Sequence, residues 1–121
     1  MRISQRLHAL VVAASTVFLV GCGCSYQVTT QQPIVFGAAG GSGTFAVSAR
    51  SGCKWNADED HNAEDWVKVA GGVVDGTGNM TFNVMSDTQQ PNVPLPRSGF
   101  INIYQDGSNA GPVTKVEIHQ R

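Results

Sequence analysis

Four oxygen-bearing side chains stand at alternate positions near the middle of this sequence: Asp58, Asp60, Asn62 and Glu64. Such spacing opens many calcium loops, because a hard divalent cation gathers several oxygen ligands. The pattern breaks at Ala63, where a helix–loop–helix calcium site needs glycine, and at Val69, where it needs glutamate. A solvated acidic loop is the default reading. Calcium is the single candidate ion, and nothing else calls for a cofactor. Aromatic rings are the second chemistry, since they stack on the apolar face of a sugar. Tyr104 reads outward with Phe100 and Asn102, opposite Ile101 and Ile103, and is the candidate ligand platform. Trp55 and Trp66 read inward and are expected in the core. Thiols are the third chemistry, at Cys22, Cys24 and Cys53. His8, His61 and His119 lie in different settings, and no nucleophile–base pair or paired-carboxylate set is evident. No catalytic residue is assigned, and the chain reads as a non-enzyme.

These groups need elements to position them, and the first is at the N-terminus. Arg2, Arg6 and His8 precede an uncharged apolar run, Ala9 to Val20. A membrane-spanning helix needs about 20 apolar residues, so this run is too short to be one. Leu19, Gly21 and Cys22 place an aliphatic residue at −3, a small residue at −1 and cysteine at +1. The arrangement resembles the lipobox of bacterial lipoproteins. That resemblance implies removal of residues 1–21 and a lipid on the Cys22 thiol. Two or three acyl chains together give durable attachment to a membrane, whereas one is marginal. It also implies a place in the bacterial cell envelope, and Gly23 after the cysteine favours the outer membrane. With Cys22 lipidated, Cys24 and Cys53 remain as a candidate disulfide pair in an oxidising compartment. The rival is a buried Cys53 and a free thiol at Cys24. No CxxC motif supports a metal site.

From Cys22 onward the sequence carries six Lys/Arg against nine Asp/Glu, a net charge of −3. No basic stripe exists, which argues against nucleic acid as a partner. One hundred residues give room for one small core. Residues 22–32 read as the lipidated cysteine and a polar tether, and the ten residues 23–32 would extend to at most about 35 Å. Beyond them, short runs alternate apolar and polar: Phe45 and Val47; Cys53, Trp55 and Ala57; Met80, Phe82 and Val84; Ile101 and Ile103; Val116 and Ile118. Pro33 to Phe36 and Trp66 to Val69 add two more runs. Pro91, Pro94 and Pro96 exclude a central strand over residues 86–96. Seven short strands separated by glycine-rich turns predict an all-β, immunoglobulin-like sandwich over residues 33–121. A small closed barrel is the alternative.

An ordered set of motifs runs through this region. It comprises Gly52-Cys53-Lys54-Trp55, Trp66-Val67-Lys68-Val69, Gly76-Thr77-Gly78-Asn79, Phe82-Asn83-Val84, Arg97-Ser98-Gly99-Phe100-Ile101-Asn102-Ile103 and Val116-Glu117-Ile118-His119-Gln120. The set resembles a BACON-type domain, an immunoglobulin-like module associated with bacterial carbohydrate-active proteins. The resemblance implies a lipid-anchored binding module whose ligands are glycans, mucin-type or polysaccharide. The alternative is a spacer or a protein–protein module of an envelope complex. The chain departs from the family in its long acidic stretch between Trp55 and Trp66 and in standing alone rather than beside an enzyme domain.

Overall fold

The computed structural model describes residues 23–121. The expected signal segment and Cys22 lie outside the described residues. Nine strands follow in order: β1 (Gln27–Val28), β2 (Ile34–Phe36), β3 (Gly41–Ser48), β4 (Lys54–Glu59), β5 (Val67–Val69), β6 (Val74–Asp75), β7 (Gly78–Val84), β8 (Arg97–Gln105) and β9 (Thr114–Gln120). They form a four-stranded sheet, β1-β3-β7-β5, and a five-stranded sheet, β2-β9-β8-β4-β6. All pairs are antiparallel except β2 with β9. The fold is an all-β, immunoglobulin-like sandwich, as its patterning predicts. The two strands not anticipated, β1 and β6, are two residues each, too short to show alternation.

The alternating residues meet between the sheets. Phe45, Val47, Trp55, Trp66, Val67, Ile101, Ile103, Val116 and Ile118 are fully buried, with Met80, Phe82 and Val84 nearly so. Phe45 lies against both Trp55 and Phe82, with ring centroids 6.2 Å apart in each case. Neither indole is stranded among apolar groups. Trp55 Nε1 donates to the Gly76 carbonyl at 2.8 Å, and Trp66 Nε1 to the Asn62 carbonyl at 3.2 Å.

One end of the sandwich is closed by residues 60–66, the expected acidic loop. Its charged side chains face solvent while Ala63 and Trp66 plug the gap between the sheets. Gly99 makes room for them. A Cβ on Gly99 would lie 2.7 Å from Ala63 Cβ and 3.2 Å from the Trp66 ring. The same end holds a buried guanidinium. Arg97 donates to the side chain of Gln120 at 2.7 Å and to the carbonyls of Val93, Gln90 and Met85 at 2.6, 2.9 and 3.1 Å. Its charge also lies 5.0 Å from the centroid of the Trp66 ring. The proline-rich segment is thereby fastened to the sandwich without any strand pairing of its own.

Residues 23–32 depart most from expectation. The candidate cysteine pair does form: Cys24 is joined to Cys53 by a disulfide, with Cα atoms 5.6 Å apart. The departure lies in how the stretch packs. Gln27 and Val28 pair with Ser48 and Val47, while Tyr26 and Val28 pack against the core. The stretch is therefore the first part of the domain, not a tether. Its polar residues serve as hydrogen-bonding partners, which composition alone does not distinguish from a solvated linker.

Candidate functional site

The outer face of the five-stranded sheet gathers most of the side chains singled out by residue type. Strand register arranges them in rows across β4, β8 and β9. Asn56 lies opposite Tyr104; Asp58 opposite Asn102, which lies opposite Lys115; Phe100 opposite Glu117; and Ser98 opposite His119, which lies opposite Val35 of β2. Rows two residues apart along a strand are separated by about 6.6 Å, so the face runs for roughly 20 Å.

The hydrogen bonds lock this array together. Asn102 Nδ2 donates to Asp60 Oδ1 at 2.9 Å and reaches the Tyr104 hydroxyl at 3.5 Å. The Tyr104 hydroxyl also favours the charged form of Asp58. Asn56 Nδ2 donates to Asp106 Oδ1 at 3.1 Å. Lys115 Nζ sits 4.9 Å from the centroid of the Phe100 ring. His119 Nε2 lies 2.7 Å from Glu117 Oε2. Asn102 is only 5% exposed although it belongs to the outer face, and its Oδ1 has no hydrogen-bond partner. Neighbours on β4 and β9, together with Asp60, bury it. A buried amide oxygen without a partner is uncommon in folded proteins.

The two carboxyl groups flanking Asn102 are pushed apart electrostatically. Asp58 is held above the usual carboxylate range, first by partial burial and then by the charge of Glu59, with Asp60 adding to it and Tyr104 opposing. Asp60 is held below that range, first by the Asn102 hydrogen bond and also by the Asn62 backbone N–H, Lys115 and His61, against some desolvation. A split pair of carboxyls is one signature of acid–base chemistry. Here Asp58 sits on an open sheet face and Asp60 on the turn at its edge.

A shallow depression of about 350 Å³ lies at the far end of the same face. Pro33, Val35 and Pro96 give it apolar walls, and Ser98, His119 and Arg121 give it polar ones. Nothing in the sequence points to it, because Pro33 and Val35 reach His119 only through the parallel pairing of β2 with β9.

The other expected residues are dispersed. Asp58 belongs to β4, while Asp60, Asn62 and Glu64 lie on the turn beyond it. Glu64 pairs with His61 at 2.8 Å, and Asp60 faces Asn102. The four do not converge, and among the described residues no group of three or more His, Cys, Asp or Glu is placed to hold a metal ion. The alternation fails physically because the strand ends at Glu59 and the chain turns. Trp55 and Trp66 are core residues with no exposed ring face. Tyr104 is half-buried on the outer face, among acceptors. Asn56, Asn102 and Lys115 were not anticipated as site residues. The polar Asn102 between Ile101 and Ile103 is the one signal that could have found them.

No family model matches the chain, and no curated protein does. Among solved structures it is similar to a Bacteroides ovatus GH5 xyloglucanase in complex with a XXXG heptasaccharide, at 19% identity and a TM-score of 0.57. That match covers 79% of this chain but spans only 18% of the xyloglucanase chain. A C. elegans member of the MSP family matches at 14% identity and a TM-score of 0.45, covering 72% of this chain and 88% of its own. The periplasmic chaperone SfaE matches at 13% identity and a TM-score of 0.43, covering 82% of this chain and 57% of its own. At these identities the likeness is one of fold.

Proposed function

We propose that this chain is a lipid-anchored, non-enzymatic binding module of a bacterial envelope, that its ligand is a glycan, and that the outer face of the five-stranded sheet is where the glycan lies. The observation that carries the reading is the row Asp58–Asn102–Lys115 beside Tyr104. It offers acceptors, a cationic donor and a half-exposed ring on rigid strands, the groups a polyhydroxylated ligand needs for orientation and stacking. Asp58 and Glu117 share this face with Lys115, and Asp60 lies at its edge, so neutral or amino sugars suit the face better than anionic ones. The resemblance to BACON-type domains points to the same ligand class.

The anchor reading rests on the lipobox, and the disulfide supports the choice of cysteine. A Cys24 sulfur bonded to Cys53 cannot also carry a thioether, which favours Cys22 over Cys24 as the acylated residue. A Cys22→Ala variant is expected to leave the membrane fraction; unchanged fractionation contradicts the anchor.

The glycan reading is tested by applying the detergent-solubilised full chain to a glycan array. Retention of a neutral or amino-sugar glycan is expected, with at least about a tenfold loss in Tyr104→Ala and Asp58→Asn, the equivalent of one or two lost hydrogen bonds or stacking contacts. A folded protein that retains no sugar sinks the reading. The second reading, a protein–protein module, is favoured by the open edge of β2, where Val35 is 43% exposed. Cross-linking in cells that captures one protein partner irrespective of added sugar would select it.

A further inference from the structure

The first ten described residues are tied down almost continuously. The Gly23 carbonyl accepts from Arg50 Nη2 at 2.9 Å. Cys24 is bonded to Cys53. The Tyr26 hydroxyl donates to the Lys54 carbonyl at 2.8 Å. Gln27 and Val28 pair with β3, and Thr29 N–H donates to the Ala46 carbonyl at 3.0 Å. Thr30 Oγ1 accepts from Ala46 N–H at 2.8 Å, and Gln32 Oε1 accepts from Glu117 N–H at 2.7 Å. Cys22 and Cys24 are two Cα steps apart, which covalent geometry limits to about 7 Å. The Cys22 Cα is therefore held that close to the Cys24 Cα, whatever its sulfur carries.

The disulfide marks one end of the sandwich. Three connections meet there. Residues 50–53 carry Cys53. The turn at Gly76 is joined to it by Gly76 N–H donating to the Cys53 carbonyl. The link from β8 to β9 is joined by Asp106 N–H donating to the Lys54 carbonyl. Arg50 and Lys54 bring two cations to this end. Arg50 is engaged by the Gly23 carbonyl, and the two carboxylates of this end are engaged too, Asp75 by Gly52 N–H at 2.7 Å and Asp106 by Asn56. Two cations and two carboxylates balance, so no net charge on this end opposes its approach to an anionic headgroup layer. The opposite end holds residues 37–40, 60–66 and 86–96.

We infer that the disulfide end of the sandwich rests directly against the bilayer that receives the Cys22 lipid, and that the Cys24–Cys53 bond is the strap that holds it there. The inference rests on the reading of Cys22 as acylated. It replaces a domain on a flexible leash by one seated on the headgroups. It also grades the candidate glycan face by height. The Tyr104–Asn56 row lies nearest the membrane, and the depression at Ser98 and His119 stands about 20 Å farther out, six residues along β8. A glycan bound along this face therefore runs away from the membrane and is reached first at the Ser98 end.

Paramagnetic relaxation tests this on the acylated full chain, extracted from membranes and placed in nanodiscs that carry a gadolinium-chelating headgroup lipid. Loss of the Gly52, Gly76 and Ser108 amide signals is expected, with those of Ala38, Glu64 and Thr88 retained. Uniform loss, or loss at the second set first, overturns the seating. A mass spectrum with no acyl chain on Cys22 overturns the anchor reading itself, and this inference with it. Two variants test the strap. In Cys24→Ser with Cys53→Ser, the protein is expected to stay in the membrane fraction while the contrast between the two sets weakens, Tyr26 and β1 still holding the stretch; an unchanged contrast overturns the role of the bond as the strap. Should that variant fail to fold, a ten-residue Gly/Ser segment inserted between Gly23 and Cys24 keeps the disulfide and adds about 17–19 Å of slack. Retained contrast in the insertion variant overturns the role of the short link.

Discussion

Replacing Arg97 by methionine is the most direct probe of how the far end of the domain is built. The substitution keeps much of the side chain's length and apolar contact and removes every donor. Five oxygens lie within hydrogen-bonding reach of the guanidinium. They do not lose equally. The Met85 carbonyl keeps a second donor, Gln120 Nε2 at 2.9 Å. The Ser86 carbonyl, at 3.4 Å, has little to lose. The carbonyls of Gln90 and Val93 belong to half-buried loop residues and are able to take up water in compensation. Gln120 is 1% exposed, so its Oε1 is left buried with no donor. An orphaned buried acceptor costs about 1–3 kcal/mol, and a hydrogen bond exchanged for water much less. The total is about 2–4 kcal/mol, with the lost contact to the Trp66 ring contributing at its lower edge. A domain of this size has about 5–15 kcal/mol in all. Urea unfolding followed by tryptophan fluorescence measures the change, because Trp55 and Trp66 are both fully buried and report loss of the core. The midpoint is expected to fall with the slope unchanged. The opposite result has a physical basis. Burial lowers the pKa of Arg97, the mark of a cation that gives up hydration on folding, and no carboxylate accepts its hydrogen bonds. If desolvation outweighs those bonds, Arg97→Met is neutral or stabilising, and the account of the guanidinium as the fastener of the proline-rich segment is wrong.

Removing the disulfide with Cys24→Ser and Cys53→Ser frees a loop of 29 residues' separation and is expected to cost about 3–4 kcal/mol by chain entropy; a thermal or urea midpoint that does not move would show that the pair is not formed. Gly99→Ala is expected to cost about 1–3 kcal/mol through overpacking, because its Cβ meets Ala63 and Trp66; an unchanged urea midpoint would show that the 60–66 turn can shift outward. Asp60, with its lowered pKa, stabilises the fold above its unfolded value and loses that contribution as the pH falls through the folded one. Asn102→Ala removes the leading cause, so the drop in urea midpoint between about pH 5 and pH 3 should become shallower. Asp58, with its raised pKa, works in the opposite sense and gains stability on protonation over the same fall; Asp58→Asn is therefore expected to steepen the drop, and a shallower one refutes the assignment.

The sandwich was legible because burial writes itself into alternation. Phe45 and Val47, Met80 to Val84, and Ile101 to Ile103 show period two, and all of them face inward. Of residues 24–32, only the candidate pairing of Cys24 with Cys53 was legible. They enter the fold through a disulfide to a cysteine 29 positions away and through side-chain hydrogen bonds, and neither leaves a local pattern. The outer face was legible only at Tyr104. Asn102 becomes a buried polar residue because Asp58 and Lys115 arrive beside it from two other strands. The acidic alternation misleads for the complementary reason, since period two has meaning only while the strand lasts, and β4 stops at Glu59.

The two ends of the sandwich are fastened by different chemistry, and this bears on the face between them. Near Cys53 a covalent bond closes the structure. Near Gln120 a buried cation and a buried amide do so. Strands β4, β8 and β9 run between these points, so side chains on their outer face have little freedom to move with the backbone. Binding at such a surface loses less conformational entropy than binding at a loop. What remains adjustable is the side-chain layer, chiefly Lys115 over Phe100. Displacing the ammonium uncovers that ring and brings a second aromatic surface into line with Tyr104, about 13 Å away along the strand. Lys115→Ala should therefore strengthen retention of a glycan that stacks on both rings and weaken retention of one held by hydrogen bonds to the ammonium. The sign of that change, read on the same array, tells which interaction dominates.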